Sequence, residues 1–180
     1  AVDLARGQGL LALEASYLLS MASLRRYCGS PDEAMEYATS AEDLIRDAEL
    51  PWHRGNLHNT LAAIAVARGN VATATEHAET TCEIIADEGR PAVRSEAHRL
   101  LGRLALHDGD LDTAGDELGT TLEVAEQTSD PKPLADCRRL LARLALERED
   151  LDQASEMADE ALDRYIEWEF PRDVAACHQT

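Results

Sequence analysis

A seven-residue stretch recurs four times in this chain at a step of forty residues. It reads Cys28-Gly29-Ser30-Pro31-Asp32-Glu33-Ala34, then Arg68-Gly69-Asn70-Val71-Ala72-Thr73-Ala74, then Asp108-Gly109-Asp110-Leu111-Asp112-Thr113-Ala114, then Arg148-Glu149-Asp150-Leu151-Asp152-Gln153-Ala154. Pro51, Pro91, Pro131 and Pro171 keep the same step. Two independent marks in one register are the signature of a repeat array, whose units pack on their neighbours instead of around one central core. The chain is expected to be a solenoid, with its function carried on the surfaces of the repeats.

Each period reads as a pair of helices. The apolar content is 44% while aromatics make up only 4%, so the core is built mostly from Ala and Leu, which favour helix over strand. The leading helix of the first repeat is marked by Tyr17, Met21 and Leu24, spaced four and three as on one helical face. Gly29 suits the left-handed residue that closes a helix. Ser30 with Glu33 matches a capping box for the next helix. Ala34, Ala38, Ala41, Leu44, Ile45 and Ala48 then make a buried stripe. The second to fourth repeats follow with Leu57, Leu61 and Ile64; with Ala97, Leu101 and Leu104; and with Cys137, Leu141 and Leu144. In the fourth turn Glu149 replaces the closing glycine, at a cost of about 1 kcal/mol, with Asp150 and Gln153 supplying the cap. The expected organisation is a leading segment 1–10, repeats at 11–50, 51–90, 91–130 and 131–170, and the start of a fifth repeat or a capping helix at 171–180. The chain reads as a piece of a longer protein.

Charge and composition exclude several function classes. Thirty-five acids against seventeen bases give a net charge of −18, which repels nucleic-acid phosphates and anionic lipid. Cys28, Cys82, Cys137 and Cys177 lack C-x-x-C spacing, and the sequence has neither a signal-peptide pattern nor an apolar run long enough to span a bilayer. Reduced thiols in a cytoplasmic protein are the expectation, with Cys137 and Cys177 as core thiols. Gly7, Gly9 and Ala12 imitate a dinucleotide fingerprint but lack its βαβ context, so no cofactor is expected. His58, His98 and His178 share one repeat position. Neighbouring helices pack about 10 Å apart, too far for joint ligation at about 2 Å per bond, so these are expected to be packing histidines and no metal site is anticipated. No catalytic motif is present, and an enzyme is not expected.

The chain resembles the tetratricopeptide repeat (TPR) family over about residues 11–170. The resemblance rests on a small residue in each first helix, Ala22, Ala62, Gly102 and Ala142, each after an apolar one, and on a signature Ala in each second helix, Ala34, Ala74, Ala114 and Ala154. The period is forty, not the family's usual thirty-four, and the position that often holds Trp carries Leu18, His58, His98 and Arg138. Forty-residue versions resemble the arrays of bacterial signal-transduction regulators and eukaryotic polarity scaffolds. The resemblance implies an all-α, right-handed solenoid of antiparallel helix hairpins, a TPR-like superhelix whose first helices line a groove for a peptide or a partner helix.

Carried over to that groove, the family's binding positions hold Arg26 and Tyr27 in the first repeat and Asn56 and Asn59 in the second. In the third and fourth they hold Arg99 with Arg103 and Arg139 with Arg143. Two i, i+4 arginine pairs at matching positions of adjacent repeats would present a square of guanidinium groups in an acidic protein. Arginine forks bind carboxylates bidentately, so the expected partner is a protein or peptide segment with acidic groups. The competing expectation is that these arginines pair with Glu96, Asp136 and other acids of the protein, in surface bridges worth roughly 0–1 kcal/mol each. A second functional reading is an effector-sensing or autoinhibitory segment of a larger bacterial transcriptional or signalling regulator. Trp168 and Phe170 either cap the fourth repeat or leave an apolar edge, and the latter predicts homo-association.

Overall fold

The computed structural model describes residues 10–46, 48, 50–86, 91–127 and 131–168. The described residues form eight α-helices, paired as hairpins: α1 Leu11–Tyr27 with α2 Pro31–Ile45, α3 Pro51–Ala67 with α4 Val71–Ile85, α5 Pro91–Asp108 with α6 Leu111–Ala125, and α7 Pro131–Glu147 with α8 Leu151–Glu167. No strand occurs among them. The chain forms two compact units, Ala1–Val93 and Arg94–Thr180. Each is described separately below.

The four turns share one closure. Gly29, Gly69 and Gly109 take φ of 81°, 73° and 79°, and Glu149 takes 62°. The following residue's N–H returns to the helix carbonyl five places back, as in Ser30 N to Arg25 O and Asp150 N to Ala145 O. This is the Schellman arrangement, which satisfies carbonyls a helix end would otherwise orphan. Asn70, Asp110 and Asp150 then cap the next helix by accepting from the N–H groups of Thr73, Thr113 and Gln153. Ser30 makes no such side-chain bond. The capping box read from Ser30 and Glu33 therefore does not form: its reciprocal donor, the Ser30 N–H, is already committed to Arg25 O, and Glu33 turns to Arg25 at 3.3 Å.

In the first unit, Ala15, Leu18, Leu19 and Ala22 of α1 close on Ala34, Ala38, Ala41 and Ile45 of α2, and Leu57, Leu61 and Ile64 of α3 seat against that hairpin. The one-sided α1 stripe is largely open: Tyr17 is 37% exposed and Leu24 53%. The reason is positional. Tyr17, Met21 and Leu24 correspond to Leu57, Leu61 and Ile64, which rest on the preceding hairpin, and no described hairpin precedes α1. In the second unit, Cys137, Leu140 and Leu144 of α7 seat against Ala114 and Leu118 of α6 with Leu106 of α5. Ala135, Ala161 and Tyr165 close the α7/α8 hairpin. No helix among the described residues is long and apolar enough to cross a membrane.

Candidate partner-binding face

The two arginine pairs singled out in the sequence, Arg99 with Arg103 and Arg139 with Arg143, lie on α5 and α7, both in the second unit apart from the first residues of α5. Glu96 and Arg99 of α5 are three residues apart, so their side chains meet on one helical face. The Arg99 fork is filled by Glu96, with Nε to Oε2 at 2.9 Å and Nη2 to Oε1 at 2.5 Å. Arg103, a turn on, is half-buried.

Forty residues later the same positions hold Asp136 and Arg139, and the pairing differs. Asp136 accepts from the Tyr165 hydroxyl at 2.5 Å and from Lys132 Nζ at 3.1 and 3.2 Å. Tyr165 is fully buried. Burial first, and then the charge and hydrogen bond of Asp136, hold its phenol far above the ordinary range, with Arg139 opposing. With Asp136 so engaged, Arg139 Nε is buried with no hydrogen-bond partner. Arg143 is exposed and only 3.9 Å from Glu147. Unpaired buried donors are rare and costly, so Arg139 stands out on this face.

The remaining site residues lie in the first unit. Asn59 is 8% exposed and donates from Nδ2 to the Val93 carbonyl at 3.2 Å, while its Oδ1 has no partner. Asn56 is half-buried, and its backbone carbonyl accepts from Thr60. Tyr27 is 65% exposed with the Arg26 guanidinium 4.4 Å over its ring.

Histidines of the shared position pair across their hairpins. His58 Nδ1 lies 3.1 Å from His77 Nδ1, and His98 Nδ1 lies 2.7 Å from Glu117. One ring of the first pair must stay neutral to accept. Burial, then His77 and Arg54, hold His58 below its ordinary pKa, against the pull of Glu42 and Glu76. Among the described residues no three His, Cys, Asp or Glu converge as metal ligands. Burial pushes the Cys137 thiol up to about 12, against the pull of Arg99 and Arg138, and its Sγ donates to the Leu118 carbonyl at 3.3 Å. Such a thiol is protonated and packed, not nucleophilic. Cys177, His178, Phe170 and the segments 1–9 and 171–180 lie outside the described residues.

Sequence reasoning gave the arginines but not the group that arranges them. Tyr165 occupies the position of Ile45, Ile85 and Ala125. A hydroxyl at a place otherwise apolar needs a buried acceptor, and that is the signal by which the Tyr165–Asp136 link could have been found.

Comparison with known proteins places the chain. Residues 19–178 match the family described as the MalT-like TPR region. The chain matches none of the curated proteins. Among solved structures it is similar to BtubC (BKLC) from P. vanneervenii, with TM-score 0.74 and 16% identity over 97% of this chain and 81% of that one. It is also similar to a Signal Transduction ATPase with Numerous Domains (STAND) protein with a tetratricopeptide repeat sensor from Pyrococcus horikoshii. There the TM-score is 0.71 and the identity 14%, over 92% of this chain but only 26% of that one. The nearly identical TPR-like repeats of a putative kinesin light chain from Podosopora anserina align with TM-score 0.64 and 18% identity over 91% of this chain and 85% of that one. At these identities the likenesses establish the fold, an all-helical TPR-like repeat. With the family match spanning residues 19–178, the chain belongs to the MalT-like TPR region family.

Proposed function

We propose that the chain is a non-catalytic, cytoplasmic protein-interaction module whose α5 and α7 arginines take an acidic segment of a partner. The observation that carries this reading is Arg139, whose buried Nε has no partner while the neighbouring carboxylate is held by Tyr165 and Lys132. A ligand carboxylate would complete that donor set, and charge-assisted bonds to arginine are about twice as strong as neutral ones. Arg143 adds an exposed cation one turn on, and Arg103 stands half-buried at the matching place of α5. Arg99, already filled by Glu96, contributes only when the ligand displaces that side chain. Asn56, Asn59, Tyr27 and Arg26 belong to the first unit.

The test is an acidic-peptide array probed with wild type and with Arg103→Glu/Arg143→Glu. Binding that weakens at least about tenfold in the variant, equivalent to roughly 1.4 kcal/mol, and that falls with added salt, is expected. Peptides bound equally by both proteins would overturn the arginine face.

A second reading is favoured by the family match and by the likeness to a STAND protein with a TPR sensor. In it the chain is the sensing or autoinhibitory segment of a larger regulator, and the acidic segment or small effector belongs to that regulator's own switch.

A further inference from the structure

In the α3/α4 hairpin each helix contributes an imidazole. His58 lies near the middle of α3 and His77 near the middle of α4, both half-buried, with their Nδ1 atoms 3.1 Å apart. The ring centroids are 5.2 Å apart and the planes are tilted by 52°, so the rings meet through their nitrogen edges and not through their faces. At the same two positions the first, third and fourth repeats hold Leu18 with Tyr37, His98 with Glu117, and Arg138 with Met157. The second repeat alone supplies two imidazoles there. The histidine ladder read from repeat to repeat misses this partner, because His77 belongs to the returning helix.

Two imidazole nitrogens at this separation can share a hydrogen or a metal ion. Adjacent nitrogen ligands of a tetrahedral shell, each about 2.0–2.1 Å from zinc, stand about 3.3–3.4 Å apart. The His58–His77 pair reaches that spacing by parting about 0.2–0.3 Å. His98 and Glu117, joined at 2.7 Å, would have to part at least twice as far. The surroundings also suit a cation better than a second proton. Burial, His77 and Arg54 of α3 disfavour the protonated form of His58, which keeps an imidazole lone pair available. Glu42 of α2 and Glu76 of α4 act on the same ring from two sides and set two negative charges against Arg54. When an ion enters, the shared hydrogen passes to the Nε2 of its own ring, and both Nδ1 atoms face the metal.

We propose that His58 and His77 bind a divalent transition-metal ion such as Zn²⁺ between their Nδ1 atoms, with water in the remaining positions. Imidazole nitrogen suits zinc, copper and nickel, whereas magnesium and calcium take oxygen ligands. Two protein ligands leave the ion exchangeable, unlike the closed four-ligand shell of a structural zinc. The bound ion ties α3 to α4 and stabilises the folded hairpin by mass action.

Zinc chloride titrated into the chain at neutral pH tests the site, followed by calorimetry and by the side-chain nitrogen resonances of His58 and His77. A saturable one-to-one phase is expected, in which both sets of resonances shift. The melting temperature should rise with zinc and return when EDTA is added. Magnesium chloride at the same concentrations should do neither, which separates the imidazoles from the acidic surface. His58→Gln and His77→Gln should each weaken zinc binding at least about tenfold, the smallest loss usual even for an outer-shell partner of a metal site. Circular dichroism checks that both variants keep their helices, and if either unfolds, the wild-type resonances decide the site. Absence of saturable zinc binding would overturn the proposal. So would zinc that binds while both imidazoles keep their resonances, or binding of equal strength in the two folded variants, because the ion would then lie on other ligands.

Discussion

The α5/α6 and α7/α8 hairpins are built on the same forty-residue plan and satisfy it with different chemistry. In the first, Gly102 faces Leu118, Gly109 closes the turn, and Glu96 fills the fork of Arg99. In the second, Ala142 and Ala158 hold the two packing positions and Glu149 takes the positive φ. Asp136 turns away to Tyr165 and Lys132. The difference teaches that backbone closure and helix spacing are fixed by a few positions, while the side chains on that frame are free to exchange partners. Function is expected where an exchange leaves a group short of a partner, as at Arg139.

The largest effect should come from breaking the packing exchange. The register pairs Ala22 with Ala38, Ala62 with Ala78 and Ala142 with Ala158, but Gly102 with Leu118. A Cβ added at Gly102 would lie 2.7 Å from Leu118 Cγ and 2.9 Å from its Cδ2, too close without a shift of a fully buried side chain. Leu118→Ala is expected to cost about 2–5 kcal/mol through the cavity it leaves, and Gly102→Ala about 1–3 kcal/mol through overpacking. Made together they rebuild the Ala–Ala contact of the other hairpins, so the double variant should lose clearly less than the sum. Urea unfolding of all four proteins measures this; strict additivity would show that the two residues do not compensate.

Much of the fold was legible because repeats place its determinants at fixed sequence separation. The Gly and Pro marks, the small first-helix residue and the signature Ala all sit where the hairpins need them: helices begin at Pro51, Pro91 and Pro131, and Ala34, Ala74, Ala114 and Ala154 are buried. The exposure of the α1 stripe was not legible, because burial of a first helix depends on the hairpin before it, which periodicity within α1 does not report. The reciprocal Glu33 bond of the capping box failed because residue identity does not reveal that the Ser30 N–H is spent on the preceding helix. On the arginine face, i, i+4 spacing gave the shared side of the helix but not the competitors. Glu96 lies three residues from Arg99 and could be weighed; Tyr165 reaches Asp136 across 29 positions of sequence, a contact that only tertiary structure makes visible.

A smaller effect should follow from making α7 behave like α5. Tyr165→Phe removes a hydrogen bond to a carboxylate, a contribution of about 1.5–3 kcal/mol, part of which returns if Asp136 closes on Arg139. An aspartate can make that closure, as Asp43 does with Arg46, three residues on, at 2.5 Å. The Arg139 Nε–H resonance should then move to the position typical of a carboxylate-bound guanidinium, and acidic-peptide binding should weaken. The pH dependence has a definite sign. Tyr165 holds its proton in the folded state above the ordinary value of 10.0, whereas the unfolded chain releases it there. The contribution is therefore complete below about pH 10 and is lost as pH rises toward the folded value. Tyr165→Phe should remove that alkaline decline. An unchanged alkaline limb would show that Tyr165 is not its source.

The turn exchange is the mildest and the cleanest to isolate. Nothing lies within 4 Å of a Cβ added at Gly109, so its glycine is required by conformation and not by space. Glu149 adopts the same left-handed region with a side chain, at φ 62°. A non-glycine residue there costs about 1–2 kcal/mol, and glycine gives back roughly half to all of 1 kcal/mol through the greater entropy it confers on the unfolded chain. Glu149→Gly should therefore stabilise the protein by up to about 1 kcal/mol, and Gly109→Ala should destabilise it by a similar amount. The Asp150 cap on Gln153 is untouched by the change, because it depends on the next residue's carboxylate. The urea midpoint should rise in the first variant and fall in the second with the slope unchanged, since neither alters the surface exposed on unfolding. If Glu149→Gly instead lowered the midpoint, the Glu149 side chain would be making a favourable contact that outweighs its backbone strain, and the fourth turn would owe its stability to that contact and not to the Schellman closure.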